Sequence, residues 1–174
     1  LFNFYNNSMN IIKQKKVTGK LTCYRISRLV ENILIKVYTD ILNTGNYNQN
    51  SACLLAVGGF GRRELNPYSD IDILFLQEKK LVEESEKFIT KILYLLWDIK
   101  FILGQSCRTI KNCIQAAKDD ITFKTSITSH RFLTGNKELY NDFIEAQDEI
   151  FKKNRYEYFQ ELSNDGELYK YNAG

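Results

Sequence analysis

The sequence predicts an α/β domain, on two observations. Near the middle lie two short apolar runs with the patterning of strands, and on either side of them lie long stretches with helical periodicity. Ala52 to Val57 is apolar and uncharged, as suits a strand buried on both faces. From Asp70 onward, Ile71, Ile73 and Phe75 alternate with Asp70, Asp72 and Leu74, the period-two signature of a second strand. Before them, Ile26, Leu29, Val30, Ile33, Leu34, Val37 and Ile41 recur at helical spacing; after them, Phe88, Ile89, Ile92, Leu93, Leu96 and Ile99 do the same. With 174 residues the chain can bury one good core.

Taken in order, residues 1–21 are rich in Asn, aromatic and Lys residues without sustained periodicity and read as a loose N-terminal segment. Thr22 to about Leu42 is a helix whose apolar stripe packs on the sheet, and the polar stretch from Thr44 to Ser51 leads into the first strand. Gly58-Gly59 ends that strand, and Asn66-Pro67 marks a turn before the second. Glu78 to Lys80 turns the chain into a helix over Val82 to Ile99, with Trp97 expected in the core. Phe101 to Leu103 and Gln105 to Arg108 suggest a third strand interrupted at Gly104, followed by a helix with Thr109 as N-cap. A further helix is expected from Asp120 to Thr134 with Gly135 as its C′ residue, although Thr122, Thr125, Ser126, Thr128 and Ser129 are mediocre helix formers. A last helix runs from Lys137 to about Leu162, ahead of the polar tail SNDGELYKYNAG. The expected organisation is thus a loose segment (1–21), a central domain (22–135), and a helical extension with a truncated tail (136–174). Leu1 in place of an initiator Met, together with that tail, reads as a fragment.

Composition narrows the function. A hydrophobic share of 44% with 26% charged residues, and no apolar run approaching the ~18 residues of a membrane span, predicts a soluble, cytoplasmic protein without membrane partners. Net charge is only +3 and is spread along the chain, so no nucleic-acid footprint is indicated. Cys23, Cys53, Cys107 and Cys113 have no CxxC spacing and no nearby His, which argues for reduced thiols rather than zinc. His130, the single histidine, reads as a structural or surface residue.

The chemistry concentrates between the two central strands. With no Cβ at Gly58 or Gly59, backbone N–H groups can approach an anion, and Arg62 and Arg63 follow closely; a phosphate fits. Asp70 and Asp72 share one strand face about 6.6 Å apart, so their carboxylates can converge on a divalent ion. A Gly-Gly pair alone marks only a turn, and an Asp-x-Asp alone is most often solvated. Together, Gly58-Gly59-Phe60-Gly61-Arg62, Glu64-Leu65, Pro67 and Ser69-Asp70-Ile71-Asp72 form one block. This block resembles the nucleotidyltransferase signature of the polymerase-beta superfamily, specifically that of the bacterial protein-PII uridylyltransferases. The resemblance continues through Leu95-Leu96-Trp97-Asp98, Gly104, Ser106, Arg108-Thr109, Cys113, Asp120-Ile121-Thr122, Arg131, Leu133 and Gly135, covering roughly Thr22 to Phe143.

The resemblance implies a polymerase-beta-type nucleotidyltransferase fold, a small mixed sheet flanked by helices with further C-terminal helices. It implies transfer of UMP from UTP to a tyrosine of the PII nitrogen-signalling protein, with Mg²⁺ as cofactor; ATP or another donor nucleotide stays open. Asp70 and Asp72 become the catalytic metal ligands, Gly58 and Gly59 the backbone cradle for the triphosphate, and Arg62 a phosphate contact, while Ser69 either holds the loop or touches a phosphate of the bound nucleotide. Arg108 either reaches the site from the third strand or forms a structural ion pair, and Glu64 pairs with a neighbouring arginine. The chain departs from the family pattern at several places, among them Lys124, Thr128 and His130, where the family tends to have apolar or small residues. No third carboxylate stands near Gly104 to Thr109, where Ser106 is present; Arg63 replaces a glycine in the phosphate loop; Gln105 replaces a histidine; and Asn112 replaces the Glu of a capping box. The alternative reading is therefore a catalytically silent remnant that at most binds nucleotide. One histidine cannot build the His/Asp metal site with which such enzymes remove UMP again.

Overall fold

Five consecutive buried residues, Ala52–Ala56, form β1 and occupy the middle of the sheet. A strand with no exposed side chain must also pair its backbone on both edges, because unpaired N–H and C=O groups there would be cut off from water. In the computed structural model, which describes residues 18–45, 47, 51–78 and 83–153, both edges are paired. β2 (Ile71–Gln77) runs antiparallel to β1 on one side, and β4 (Arg131–Gly135) runs antiparallel to it on the other. β3 (Leu103–Thr109) lies parallel to β2, giving the order β3-β2-β1-β4 and a mixed sheet.

The alternation in β2 sorts the core into two layers. Ile71, Ile73 and Phe75 join Ile26, Val30, Leu34 and Val37 of α1 (Gly19–Thr44) and Phe88, Ile92 and Leu96 of α3 (Glu83–Asp98) on one face. Leu74 and Leu76 join Cys113 and Ala117 of α4 (Ile110–Asp119), Ile127 of α5 (Ile121–Thr128), and Leu139 and Phe143 of α6 (Lys137–Lys153) on the other. This is the α/β architecture expected, a small mixed sheet flanked by helices. The short turn α2 (Gly58–Gly61) follows β1 directly.

Four expectations need correction. The stretch Asp120–Thr134 is not one helix: α5 ends at Thr128 and the chain becomes β4. Thr125 and Thr128 bond through their hydroxyls to the Ile121 and Lys124 carbonyls in the preceding turn, and the Thr and Ser residues supply little helix propensity. The second edge of β1 meanwhile requires a partner, and β4 provides it. Gly135 does adopt the left-handed backbone expected of it (φ +100°), but it closes a strand, over the Ala52 carbonyl. Gly104 does not interrupt the third strand: β3 runs through it in unbroken register from Ile71↔Leu103 to Gln77↔Thr109. Trp97 is 44% exposed, its ring edge-on to the still more exposed Tyr94.

Thr109 caps α4 as expected, its hydroxyl accepting the Asn112 N–H at 3.2 Å. The expectations for the N-terminal segment before Thr18, for the tail, and for the last helix beyond Lys153 lie outside the described residues. No helix among the described residues is long and apolar enough to cross a membrane. All four cysteines are free thiols, and burial pushes Cys53 and Cys113 up to about 12.

Candidate nucleotide and metal site

The cleft opens at the end of the sheet where β1 leaves and β2 enters. It encloses about 860 Å³ and is lined by Lys20, Cys23, Gly59, Phe60, Arg62, Glu64, Leu65, Asn66, Ser69, Asp70 and Asp72. That size suits a small-molecule ligand of nucleotide dimensions. Asp70 is exposed at its rim, and Asp72, on β2, is half-buried beside it. Burial, and secondarily the charge of Asp70, raise the Asp72 carboxyl above its ordinary value. Two acids held in this way favour a shared proton or a shared cation, which fits one divalent ion held by Asp70 and Asp72. Among the described residues no group of three His, Cys, Asp or Glu side chains converges as a metal site.

Glycine makes room for Asp72 on both sides. Gly58 has a left-handed backbone (φ +58°), and a side chain there would meet Asp72 Oδ2 at 3.2 Å. Gly104 pairs with Asp72 across β2 and β3, and a Cβ on it would overlap Asp72 Oδ1. The same glycine explains why no third acid projects from this position of β3. Within α2, Gly61 N–H donates to the Val57 carbonyl and Arg62 N–H to Gly58, while Glu64 N–H reaches Gly59. Gly58, Gly59 and Phe60 N–H have no partner among the described residues.

Arg62 lines the cleft, but its Nε donates to Glu64 Oε2 at 2.8 Å and its Nη1 to Ser129 Oγ at 3.3 Å. The expected pairing of Glu64 with an arginine is therefore present. Ser69 holds the turn, its hydroxyl donating to the Asn66 carbonyl at 2.9 Å. Arg63 does not fill the phosphate loop. It takes the left-handed backbone (φ +62°) that a glycine would adopt freely, and its guanidinium turns away to Glu31 of α1 at 3.8 Å. Arg108 is not brought to the cleft. It stands four residues along β3 from Gly104, with its guanidinium over the Phe123 ring at 4.7 Å.

α1 contributes more to the site than its apolar stripe suggested. Lys20, Cys23, Ser27 and Glu31 follow one another at three- and four-residue steps and so share a helix face. The Cys23 thiol donates to Asn66 Oδ1 at 3.1 Å, and Ser27 Oγ accepts the Leu65 N–H at 3.1 Å. The polar stripe beside the apolar one was the available signal. His130 is packed edge-on against Tyr140 and Phe143, with Nδ1 3.1 Å from the Tyr140 hydroxyl; burial lowers its pKa, and it takes no part in the cleft.

This combination of a glycine turn and an Asp-x-Asp pair in one polar cleft defines a nucleotidyltransferase by resemblance, and comparison with known proteins makes the likeness particular. No family model matches the chain. It is 46% identical over 101 residues to the bifunctional uridylyltransferase/uridylyl-removing enzyme of Caulobacter vibrioides, 58% of this chain and 11% of that protein. It is 39% identical over 137 residues to the enzyme of the same name from Haemophilus influenzae, 73% of this chain and 16% of that protein. Over these residues the chain is a homologue of the uridylyltransferases, and it spans between 11% and 16% of their length. A solved structure described as the toxin-antitoxin with AMP-PNP aligns with 78% of this chain and 96% of its own, at 17% identity and a TM-score of 0.40, too loose a likeness to bear on function.

Proposed function

We propose that this chain is a nucleotidyltransferase domain that binds UTP with Mg²⁺ and directs UMP to a tyrosine hydroxyl of a PII signal protein. The observation that carries this reading is the placement of Asp70 and Asp72 in one cleft with the unpartnered N–H groups of the Gly58–Gly61 turn. In this role Asp70 and Asp72 hold the cation, and the turn N–H groups donate to the triphosphate oxygens. Mg²⁺ supplies neutralisation of the charge that grows on the departing pyrophosphate. Lys20 and Arg62 add positive charge at the cleft wall, Arg62 once it exchanges Glu64 for phosphate. Transfer to a hydroxyl also needs a base or third ligand, and among the described residues no further acid joins Asp70 and Asp72 except Glu64, which is engaged by Arg62. That shortage favours a domain that binds donor and transfers slowly when isolated.

Calorimetric titration with Mg-UTP tests the binding step. Saturable binding is expected, abolished in the Asp70→Asn/Asp72→Asn protein, with PII labelling from radiolabelled UTP weak or absent. No heat at millimolar Mg-UTP, or equal binding by the double variant, overturns the reading.

A further inference from the structure

The turn at the centre of the site is made of Gly58, Gly59, Phe60 and Gly61. Each glycine in a helical turn is worth roughly 1 kcal/mol less than alanine, so three in four residues cannot hold the turn's shape by themselves. Something outside it must. Arg131, the first residue of β4, reaches across with Nη2 donating to the Phe60 carbonyl at 3.1 Å and Nε donating to the Gly61 carbonyl at 3.2 Å. Its guanidinium also lies over the Phe60 ring. On its far side, Nη1 lies 3.0 Å from Glu31 Oε1, in an ion pair whose angle falls short of a hydrogen bond. Glu31 is itself buried on α1, with Arg28 at 3.4 Å and Arg63 at 3.8 Å on its other oxygen.

We infer that Glu31 and Arg131 form a strut from α1 through β4 to the glycine turn, positioning its N–H groups for the donor's phosphates. The planes of the two peptides whose carbonyls Arg131 holds also carry the N–H groups of Gly61 and Arg62. These close the turn onto Val57 and Gly58, while the N–H groups of Gly58, Gly59 and Phe60 have no backbone partner among the described residues. Three guanidiniums share one carboxylate, so the strut also leaves an excess of positive charge behind a site that takes an anion. Arg131 and Glu31 do not line the cleft; they are positioning residues. The inference rests on the nucleotide-binding reading above, which supplies what the turn is positioned for.

The test compares Arg131→Gln, Arg131→Lys and the milder, nearly isosteric Glu31→Gln with the parent protein. Amide shifts and hydrogen exchange of Gly58, Gly59 and Phe60 are measured alongside Mg-UTP calorimetry and far-ultraviolet circular dichroism. Faster exchange confined to the turn is expected. It should come with a loss of Mg-UTP affinity of about tenfold or more in Arg131→Gln, the scale of a charge-assisted hydrogen bond, and a smaller loss in Arg131→Lys. Variants that melt earlier yet keep parent-like turn amides and parent-like affinity overturn the strut. Should Arg131→Gln fail to fold, Glu31→Gln decides by the same amides. If the parent binds no Mg-UTP, the donor reading fails, and turn exchange alone upholds or overturns the strut.

Discussion

Asp72 is held between two glycines, one on either side of its carboxylate, and this has opposite consequences for stability and binding. Its carboxyl is raised above the ordinary value of 3.8, chiefly by burial. The sign follows from proton counting. Above that value the unfolded chain ionises Asp72 freely, whereas the folded chain must hold the charge half-buried beside Asp70, so Asp72 lowers stability as pH rises through this range. Asp72→Asn is expected to melt higher than the parent near pH 7 without metal, with the difference vanishing below pH ~4, while Mg-UTP binding is lost. Gly104→Ala should lose the same binding for the opposite structural reason. Its methyl group displaces the carboxylate and costs about 1–3 kcal/mol in overpacking, so its melting temperature falls. Melting curves at pH 7 and pH 4 separate the two variants; equal melting of Asp72→Asn and parent at pH 7 would show that the slot does not strain the charge.

Among the elements, those with a strong period were legible and those defined by a partner were not. α1, α3 and β2 follow directly from apolar spacing, and the Thr109 cap from its place after an extended run. β4 was misread because RFLTG has neither clean alternation nor a strand-like flank, and it becomes a strand only where β1 presents an unpaired edge. Gly104 suggested a break for the same reason: its role is to admit a side chain from the neighbouring strand, which no local pattern encodes. The α4 cap offers a test at this scale. Asn112 occupies the N3 position, where a Glu would reach back to the Thr109 N–H, so Asn112→Glu should stabilise the protein by a few tenths of a kcal/mol. Thr109→Ala should cost about 1 kcal/mol. Paired denaturant titrations measure both; an unchanged midpoint for Thr109→Ala would show that the cap is dispensable.

At the level of the whole molecule, the cleft exists because α1, the glycine turn and the start of β2 meet at one end of a sheet whose two faces are packed with separate apolar clusters. The Gly58–Asp72 block carried most of that site in the sequence, since its parts are adjacent along the chain. Lys20 and Cys23 were not legible as part of it. They arrive from α1, more than thirty residues before the block, and only the packing of that helix brings them to the cleft. Arg108 was the converse case, on the strand next to β2 yet at its wrong end.

The exposure of Trp97 determines how unfolding of this protein can be followed by light. It is the only tryptophan in the chain and already meets water when folded, with Tyr94 rather than the core as its aromatic neighbour. Its native emission should be red-shifted and readily quenched by iodide, and denaturant should move it little while the helical dichroism collapses. A blue-shifted, iodide-resistant native emission would place this ring in a dry environment and contradict the fold at the end of α3. The buried Tyr38, Phe75 and Phe143 cannot substitute as reporters at tryptophan wavelengths, so the melting of both clusters is spectroscopically silent in the region most often used to watch it.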